Sequence, residues 1–385
     1  MRVLRIAHAS LTPTLRERER AIARNYPDVD LEVVTTEKWR EAEVDVEITP
    51  DDLFPVTKAR RLFSRHVQLF AYNPGPIVTA LRRHRPHLID LNAEPYSVAC
   101  AEVLTLRNWF APRAAVVLQT CQNIFRTYPP PFNWLESRAL KQTAAAYPCS
   151  ETARQLLDAK GFDRPTPVVP FGVDLEAFTP RQFNRNPEQP LTIGYVGRML
   201  PGKGLNVLAD ALNKVRTENW RLLMVGDGSE RKPFEQAMVE NGLSDRAEYT
   251  GAVSYDMVPQ FFHRMDVLVI PTETTERIRE QFGRVIVEAM ATGVPVIGST
   301  CGAIPEVIAE AGLVFPERDA DALAAAIRRM LSNAALREEF VKAGRQRVEQ
   351  HYSWDRVAQQ TYELYRQILR KQTAEAVNRE FEFAA

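Results

Sequence analysis

The sequence has 385 residues, 45% of them hydrophobic and 25% charged, and its 49 Lys and Arg balance its 49 Asp and Glu. This length exceeds what one hydrophobic core usually serves, so we expect a globular protein of two domains. The balanced charge argues against bulk binding to nucleic acid.

Neither the N-terminus nor the cysteines indicate export. The apolar run at the N-terminus is short and soon interrupted by charge, unlike that of a signal peptide, and no stretch approaches the ~20 apolar residues of a membrane span. The four cysteines are far apart and form no metal-like pair. We therefore expect a cytoplasmic protein with free thiols.

Strand-like and helix-like segments alternate through the first half of the chain, which is typical of parallel β-α-β units. The predicted strands are 2–9, 31–36, 87–92, 114–120, 144–150 and 165–174, and the predicted helices are 14–25, 76–86 and 151–161. Residues 179–190 are then polar and contain three prolines, so we predict a linker there.

The same alternation restarts after this linker. The predicted strands are 191–198, 221–228, 247–251, 266–272, 295–299 and 311–315, with helices between them and a last one over 352–371. We therefore predict an α/β fold of two Rossmann-like, doubly wound parallel-sheet domains. Ligands of such sheets bind beyond the carboxyl ends of the strands, which here predicts a site in the cleft between the domains.

Two predicted strands of the second half end in glycine-containing loops, GYVGRMLPGKG (194–204) and MVGDGSE (224–230). Glycines let a ligand approach the backbone, and Arg and Lys supply positive charge for phosphates. The alternative is a pair of ordinary turns with surface cations and a capping Asp. The residues of interest are Gly197, Arg198, Lys203, Gly226 and Asp227.

A third segment, EQFGRVIVEAM (280–290), carries two glutamates, Glu280 and Glu288. The first turn of a helix that begins near Gly283 would offer free N–H groups to an anion. Glu288 lies about 12 Å further along that helix in an apolar run, where an unpartnered charge is costly. Hydroxyls of a nucleotide sugar could satisfy it; the alternative is a core hydrogen bond or the helix dipole.

These segments, together with GAIPEVI (302–308), occur in the order and spacing of the retaining nucleotide-sugar glycosyltransferases of family 4 (group 1), which they resemble. PFGVDLEAF and YSWDRVAQQTYELY are similar to that family's first-domain end and its last helix. The resemblance implies a GT-B fold. Its parts would be an acceptor-binding domain at 1–178, a linker at 179–190, a nucleotide-sugar domain at 191–351, a helix at 352–371 that returns to the first domain, and a tail at 372–385.

The resemblance also implies roles for individual residues of the second half. Arg198 and Lys203 would hold the diphosphate and stabilise the leaving group, Glu280 would bind the transferred sugar, and Glu288 the ribose. The remaining donor-site positions are the backbone of Gln281, Phe282 and Gly283 at the sugar, that of Arg284 and Val285 at the phosphate, and Gly197, Gly226 and Asp227 near the nucleotide.

No metal and no other cofactor is expected, because Arg198 and Lys203 can take the role that Mg or Mn plays in other glycosyltransferases. The two Asp-x-Asp pairs, Asp28–Asp30 and Asp319–Asp321, lie away from the proposed phosphate site.

The first half departs from the family pattern. Its first strand ends in AHASLTPT (7–14), without the usual glycines, so His8 and Ser10 are acceptor-side candidates; alternatively, His8 is a satisfied, partly buried histidine. Gln122 stands where the family places a catalytic His, and Asn123 follows it. Gln can form hydrogen bonds to a sugar but cannot act as a base. Glu94 is a further acceptor-side candidate, or a helix cap.

Residues 53–89 contain no Asp or Glu but carry several cations, interleaved with aromatic residues. These cations are Lys58, Arg60, Arg61, Arg65, Arg82, Arg83 and Arg85. Two interpretations are open: a solvated basic face, or contact of residues 58–85 with an anionic membrane or a lipid-linked acceptor. The second would make the protein peripheral on the inner face of the membrane.

We therefore expect a metal-independent retaining hexosyltransferase that uses a UDP- or GDP-sugar. A polysaccharide or glycolipid intermediate of the cell envelope is the expected class of acceptor. Two alternatives are a nucleotide-sugar epimerase of the same fold, which would need no acceptor, and a non-catalytic relative that binds nucleotide sugars.

Overall fold

A computed structural model describes residues 1–41, 44–64, 66–181 and 189–384. The chain forms two compact units, one of Met1–Pro170 with Trp354–Ala385 and the other of Phe171–Ser353. None of the helices in the described ranges combines the length and apolar character needed to span a bilayer.

The described part of the first unit is built on a parallel sheet of six strands in the order β10-β9-β8-β1-β2-β5. Two short antiparallel ribbons, β3–β4 and β6–β7, extend from it. The strands are β1 (Arg2–Ala7), β2 (Asp30–Thr35), β3 (Lys38–Glu41), β4 (Val44–Glu47), β5 (Val56–Lys58), β6 (Arg61–Leu62), β7 (Ala71–Tyr72), β8 (Leu88–Asn92), β9 (Ala115–Thr120) and β10 (Ala145–Pro148). The helices are α1 (Glu17–Asn25), α2 (Pro74–His84), α3 (Val98–Phe110), α4 (Phe132–Gln142) and α5 (Glu151–Ala159).

The described part of the second unit has its own six-stranded parallel sheet, in the order β13-β12-β11-β14-β15-β16. The strands are β11 (Leu191–Val196), β12 (Trp220–Val225), β13 (Ala247–Gly251), β14 (Val267–Ile270), β15 (Val296–Ser299) and β16 (Gly312–Phe315). The helices are α6 (Leu205–Lys214), α7 (Arg231–Glu240), α8 (Val258–Phe262), α9 (Arg284–Ala291), α10 (Ile304–Ile308), α11 (Ala320–Ser332) and α12 (Ala334–Arg347). The predicted α/β class with two parallel sheets is confirmed.

Central strands of both sheets are mostly apolar because helices cover both faces; Arg5 of β1 and Asp90 of β8 are buried exceptions. In β8 all positions from Leu88 to Leu91 are buried, and the four residues of β14 are buried as well. Strands of this kind appear in a sequence as continuous Val, Ile and Leu runs rather than as alternating patterns. The central strands of the two sheets are therefore the segments that the sequence predicts most clearly as strands.

The predicted strand at 165–174 was wrong. Most of this segment lies outside any strand, although Val173 forms an isolated bridge with Ser353. Its contact with β10 consists of two separate bonds, Val169 N–H to the Pro148 carbonyl at 2.9 Å and Ala146 N–H to that of Pro165 at 3.1 Å. Three prolines, at 165, 167 and 170, remove backbone donors that a sheet ladder would need.

The division between the units also differs from the predicted boundary at 178. The Phe178 ring lies 6.2 Å from that of Phe262 and 5.7 Å from that of Tyr255, and Phe171 lies 5.5 Å from Phe282. Residues 171–178 therefore pack within the second unit. Of the predicted linker, residues 182–188 lie outside the described residues.

The last helix, α13 (Trp354–Ala384), groups with the first unit and continues through most of the segment predicted as a tail. Tyr362 stacks on Tyr26 of α1 at 3.9 Å, and Asp355 accepts a hydrogen bond from Asn25 at 2.7 Å. Further along, the Tyr365 hydroxyl donates to the buried carboxylate of Asp90 at 2.5 Å.

That carboxylate belongs to a buried ionic network across the first sheet. Asp90 accepts from Arg5 at 2.7 Å and from Arg18 at 2.9 Å, and both arginines also pair with Glu19. Burial would raise the pKa of Asp90, but Arg5 and Arg18 lower it below its ordinary value. The network holds α1, β1, β8 and, through Tyr365, α13 in one arrangement.

Candidate functional site

The glycine-containing loops after β11 and β12 lie against each other. The Gly197 N–H donates to the Val225 carbonyl at 2.9 Å, and a Cβ on Gly226 would lie 2.0 Å from the Gly197 oxygen. Gly226 also has φ +131, a region that L side chains rarely adopt. Gly226 is thus needed for loop packing, and Gly197 for its backbone conformation, with φ +148.

Asp227 occupies the start of the segment that leads into α7. Its carboxylate accepts from the Gly228 N–H at 2.8 Å and from Arg231 at 3.0 Å. The Gly228 amide is the largest cause that lowers the pKa of Asp227; burial opposes it, and Arg231 lowers the pKa further. The N-cap of α7 is Glu230, without a side-chain capping bond, so Asp227 serves the turn and pairs with Arg231 rather than capping the helix.

The two predicted phosphate cations differ in their surroundings. Arg198 is exposed, and within the described ranges its guanidinium has no ion-pair partner; its carbonyl accepts from the Tyr195 hydroxyl at 2.9 Å. Lys203 lies 2.7 Å from a carboxylate oxygen of Glu280, with 23% of the lysine side chain and 18% of the glutamate side chain exposed. The sequence predicted both residues of this pair at the site but not their contact.

The backbone at Glu280 is held by the loop that follows β15. The Ala303 N–H donates to the Glu280 carbonyl at 3.0 Å, and the Glu280 N–H points to the Cys301 sulfur at 3.4 Å. A Cβ on Gly302 would lie 2.1 Å from the same carbonyl. The GAIPEVI segment therefore supports Glu280, a role that its sequence alone did not indicate.

Helix α9 begins directly after this loop. Gly283 precedes it with φ +82, and the bond from Ile286 N–H to the Gly283 carbonyl, 2.8 Å, is part of its first turn. The amides of Arg284 and Val285 stand at the start of the helix, where no helical carbonyl lies four residues before them to accept their N–H groups. Phe282 is buried, and its ring packs 5.7 Å from Tyr352, whereas Gln281 is exposed.

Glu288 has partners of its own inside the second unit. It is 6% exposed, it accepts a hydrogen bond from the Tyr255 hydroxyl at 2.9 Å, and Arg284 lies 3.7 Å away. Arg284 also donates to the Tyr255 hydroxyl at 2.9 Å and stacks over its ring. Burial raises the pKa of Glu288, and Arg284 and Tyr255 oppose that rise in part.

Tyr255 was missed by the sequence analysis. It lies in a short 3-10 turn, Tyr255–Met257, before α8, and no periodic pattern connects it with Glu288. A buried glutamate signals that some partner exists, but it does not say which residue supplies it.

The first-unit candidates are engaged in local contacts. His8 packs 4.4 Å from Trp39 and 5.6 Å from Phe70, and burial lowers its pKa to about 4. His8 is thus partly buried, as its alternative holds, but it is not fully satisfied, since its buried Nδ1 has no hydrogen-bond partner within the described residues. Ser10 is buried, and its carbonyl accepts from Arg16 at 3.5 Å.

Glu94, Gln122 and Asn123 meet at the carboxyl ends of β8 and β9. Glu94 accepts from the Thr120 hydroxyl at 2.5 Å and from the Cys121 N–H at 3.2 Å. Gln122 donates to the Tyr128 hydroxyl at 3.2 Å and accepts from the Asn123 N–H at 3.1 Å. Asn123 is buried. These side chains fix the loop, so ligand contacts by Gln122 or Glu94 would have to replace bonds that are already made.

The basic stretch does not form a single surface. Lys58 ends β5 at the carboxyl edge of the sheet, and Arg60 and Arg61 follow it there. Arg85 ends α2 at the opposite edge, where its carbonyl accepts from Arg2 at 2.9 Å. Arg82 and Arg83 lie in the last turn of α2, toward that opposite edge. Arg65 lies outside the described residues.

The Asp-x-Asp pairs have structural contacts. Asp28 accepts from the Tyr362 hydroxyl at 3.1 Å, Asp319 accepts from the Ala322 N–H at 2.8 Å at the start of α11, and Asp321 pairs with Lys214 at 2.7 Å. Within the described ranges, no group of three or more His, Cys, Asp and Glu residues is placed to hold a metal ion.

The similarity to known protein sequences is strongest in the second unit. Residues 178–347 match the family model described as Glycosyl transferases group 1. An uncharacterized glycosyltransferase of Methanocaldococcus jannaschii, MJ1607, is 31% identical over 175 residues, which are 45% of this chain and 44% of that protein. The phosphatidyl-myo-inositol mannosyltransferase of Mycobacterium leprae is 34% identical over 206 residues, 52% of this chain and 53% of that protein. The chain thus spans about half the length of these curated relatives.

A solved structure is similar over nearly the whole chain. The Anabaena protein Alr3699/HepE in complex with UDP has a TM-score of 0.73 and 19% identity, covering 95% of this chain and 100% of that one. The likeness shows the fold, which is that of the GT-B glycosyltransferases.

Proposed function

We propose that this protein is a retaining glycosyltransferase of family 4, which transfers a hexose from a UDP- or GDP-sugar to a polysaccharide or glycolipid intermediate. One observation carries the proposal. Lys203 and Glu280 form an ion pair at 2.7 Å beside the start of α9, within the residues that match the group 1 family.

The chemistry of transfer needs positive charge where the diphosphate leaves. Arg198 is exposed on the loop after β11, and Lys203 follows on the same loop. The amides at the start of α9 are further donors for an anion. Preorganised donors and cations of this kind stabilise the charge that builds on the leaving group more than they stabilise the bound substrate.

Glu280 neutralises Lys203 through their ion pair at 2.7 Å. A diphosphate would compete for the lysine, which would release the glutamate to accept hydrogen bonds from sugar hydroxyls. In this scheme the departing phosphate accepts the acceptor's proton, so no separate base is needed and Gln122 only positions the sugar. Arg198 and Lys203 supply the countercharge, and we propose that no metal ion is required.

The donor and acceptor classes rest on relatives. The Anabaena structure contains UDP, and the Mycobacterium leprae relative is named for a lipid acceptor, phosphatidyl-myo-inositol. We extend a nucleotide-sugar donor and a carbohydrate or lipid-linked acceptor to this chain.

The test is a thermal-shift panel of UDP, GDP and ADP, followed by a transfer assay with the matching nucleotide sugar. A ligand at 100 times its dissociation constant adds ~2.7 kcal/mol to the free energy of unfolding, so the preferred nucleotide should stand out. Transfer should survive excess EDTA and fall sharply in Lys203→Ala, with exposed Lys232→Ala as the control.

Other outcomes identify the alternatives. Conversion of the sugar nucleotide without an acceptor would establish an epimerase. A thermal shift with neither conversion nor transfer, across a panel of saccharide and lipid acceptors, would indicate a non-catalytic binding protein. Activity that EDTA abolishes and Mg or Mn restores would refute the role given to the two cations.

A further inference from the structure

Two tryptophans of the first unit are largely exposed to solvent. Trp109, near the end of α3, is 75% exposed, and Trp134, near the start of α4, is 60% exposed. Of the other three tryptophans, Trp220 is buried and Trp39 and Trp354 are half-buried. Indole rings are large apolar groups with one polar N–H, a combination that suits the boundary between an apolar layer and water.

Helices α3 and α4 lie side by side, and their facing side chains form a groove. Arg138 of α4 donates to the Thr105 hydroxyl of α3 at 3.2 Å while its guanidinium lies 5.6 Å from the Trp134 ring. The groove has a volume of about 310 Å³ and is mostly apolar. Its lining residues are Val98, Ala101, Glu102, Thr105, Leu106 and Leu135.

Helical spacing places each indole on or next to the helix face that lines the groove. Trp109 is three residues beyond Leu106 and four beyond Thr105, which both line it, so the three share one face of α3. Trp134 precedes the lining residue Leu135 and shares a face with Arg138, four residues on.

Further cations lie on these helices and next to them. Lys141 is exposed and lies three residues after Arg138 on the same face of α4, and Arg113 is exposed just beyond the end of α3. Arg82 of α2 lies 4.7 Å from the ring of Phe110, next to Trp109. We name the α3–α4 surface by six residues: Arg82, Trp109, Arg113, Trp134, Arg138 and Lys141.

The acids of the same segment do not neutralise this surface. Residues 53–150 contain twelve Lys and Arg but four Asp and Glu, in a chain whose total charge is zero. Asp90 is buried in the ionic network, Glu94 is bonded to Thr120, and Glu136 pairs with Lys160 at 2.5 Å. Glu102, in the groove, accepts from the Tyr72 N–H at 2.8 Å.

We propose that the α3–α4 surface docks the protein on an anionic lipid bilayer, with Trp109 and Trp134 in the interfacial layer and the cations at the headgroups. Indoles favour this layer because their apolar body and polar N–H suit its two sides. Basic side chains near a bilayer are attracted by anionic headgroups, and that attraction falls with salt. This goes beyond the proposed function and does not depend on it.

The surface differs from the one that the basic stretch 58–85 suggested. Among the cations of that stretch, Arg82 lies against Phe110 of α3, whereas Lys58 ends β5 at the opposite edge of the sheet. The determinants that the structure favours, Trp109 and Trp134, lie outside the stretch altogether.

The experiment is co-sedimentation of the full chain with vesicles of phosphatidylcholine alone or mixed with phosphatidylglycerol. We expect binding to the anionic vesicles, weakened by 0.5 M NaCl. It should fall at least tenfold both in the pair Trp109→Ser, Trp134→Ser and in the triple variant Arg113→Gln, Arg138→Gln, Lys141→Gln. The control for the cations is Lys232→Gln with Lys342→Gln, two exposed lysines of the second unit.

Three results would overturn the proposal: no binding to anionic vesicles, equal binding to neutral ones, or equal loss in the control variant. Self-association of the wild-type protein that disappears in the Trp109→Ser, Trp134→Ser variant would also overturn it, because the surface would then bind a second copy. Analytical ultracentrifugation measures this self-association. Thermal melting of every variant checks that it is folded, and the charge triple tests the proposal without removing apolar side chains.

Discussion

Glu288 illustrates how a buried carboxylate can be held without a ligand. Tyr255 donates to it at 2.9 Å, and Arg284 lies one helical turn before it at 3.7 Å. Burial still raises its pKa, so these partners do not fully compensate the loss of water. Ribose hydroxyls could add to this set of donors, but the structure shows that they are not its sole support.

Tyr255→Phe separates the structural and ligand roles at this position. Loss of the hydroxyl removes one bond to Glu288, so we expect the free energy of unfolding to fall by ~1–2 kcal/mol. Binding of a nucleoside diphosphate should be no weaker, because the ribose would meet one competitor fewer. Urea denaturation and calorimetric titration measure the two effects; a tenfold loss of nucleotide affinity would instead put Tyr255 in contact with the ligand.

Glu102 gives a prediction about pH. Burial in the groove raises its pKa to about 7, while the Tyr72 N–H lowers it slightly. A raised pKa means that its contribution to stability is present below about pH 4.5, the unfolded value, and is lost as pH rises through about 7.

The free energy of unfolding of Glu102→Gln should therefore equal that of wild type at pH 4 and exceed it at pH 8. The expected gain is ~1–2 kcal/mol after allowance for partial solvent exposure. Thermal or urea denaturation at both pH values measures it, with exposed Glu339→Gln as the control for loss of a charge. A wild-type advantage at pH 8 would show that the carboxylate is stabilising there.

Among the elements, the sequence predicts best those segments whose residues follow from a single physical requirement, such as burial on both faces. The β14 segment is an apolar run, and residues 88–91 of β8 form one apart from Asp90, since both strands are buried on both faces. The 165–174 segment has similar apolar content, but its prolines prevent pairing. The strands of the ribbons β3–β4 and β6–β7 have two to four residues each, which is too short to carry a clear pattern.

Helix α13 depends on contacts that no local pattern reveals. Tyr365 reaches Asp90 at 2.5 Å over a separation of 275 residues, and Arg5 and Arg18 share that carboxylate. The sequence shows an apolar helical face near 352–371, but not that a buried charge network lies beneath it.

Two substitutions probe this network. Asp90→Asn leaves Arg5 and Arg18 with Glu19 as their remaining carboxylate, so we expect a loss of ~3–5 kcal/mol in the free energy of unfolding. Tyr365→Phe removes one hydrogen bond and should lose ~1–2 kcal/mol, with faster amide exchange in α13. If Asp90→Asn stays within 1 kcal/mol of wild type in urea denaturation, the network does not stabilise the first unit as described.

For the whole molecule, sequence and structure contribute different parts of the candidate site. The resemblance supplies the set Arg198, Lys203, Glu280 and Glu288, and residues 178–347 match the corresponding family. The structure adds the Lys203–Glu280 pair and the Tyr255–Glu288 bond, which depend on side-chain positions rather than on motif spacing. The first-unit candidates remain predictions, since each side chain is occupied by local bonds or packing.

The central claim is that Glu288 serves the nucleoside and Glu280 the transferred sugar, and calorimetric titration with UDP and GDP beside a transfer assay tests it directly. Glu288→Gln should lower the affinity for the preferred nucleoside diphosphate about tenfold or more, since charge-assisted bonds to hydroxyls are worth ~1.5–3 kcal/mol. Glu280→Gln should bind it at least as well as wild type, because Lys203 loses its competitor, while transfer collapses. Loss of nucleotide binding in Glu280→Gln with wild-type binding in Glu288→Gln would contradict the account.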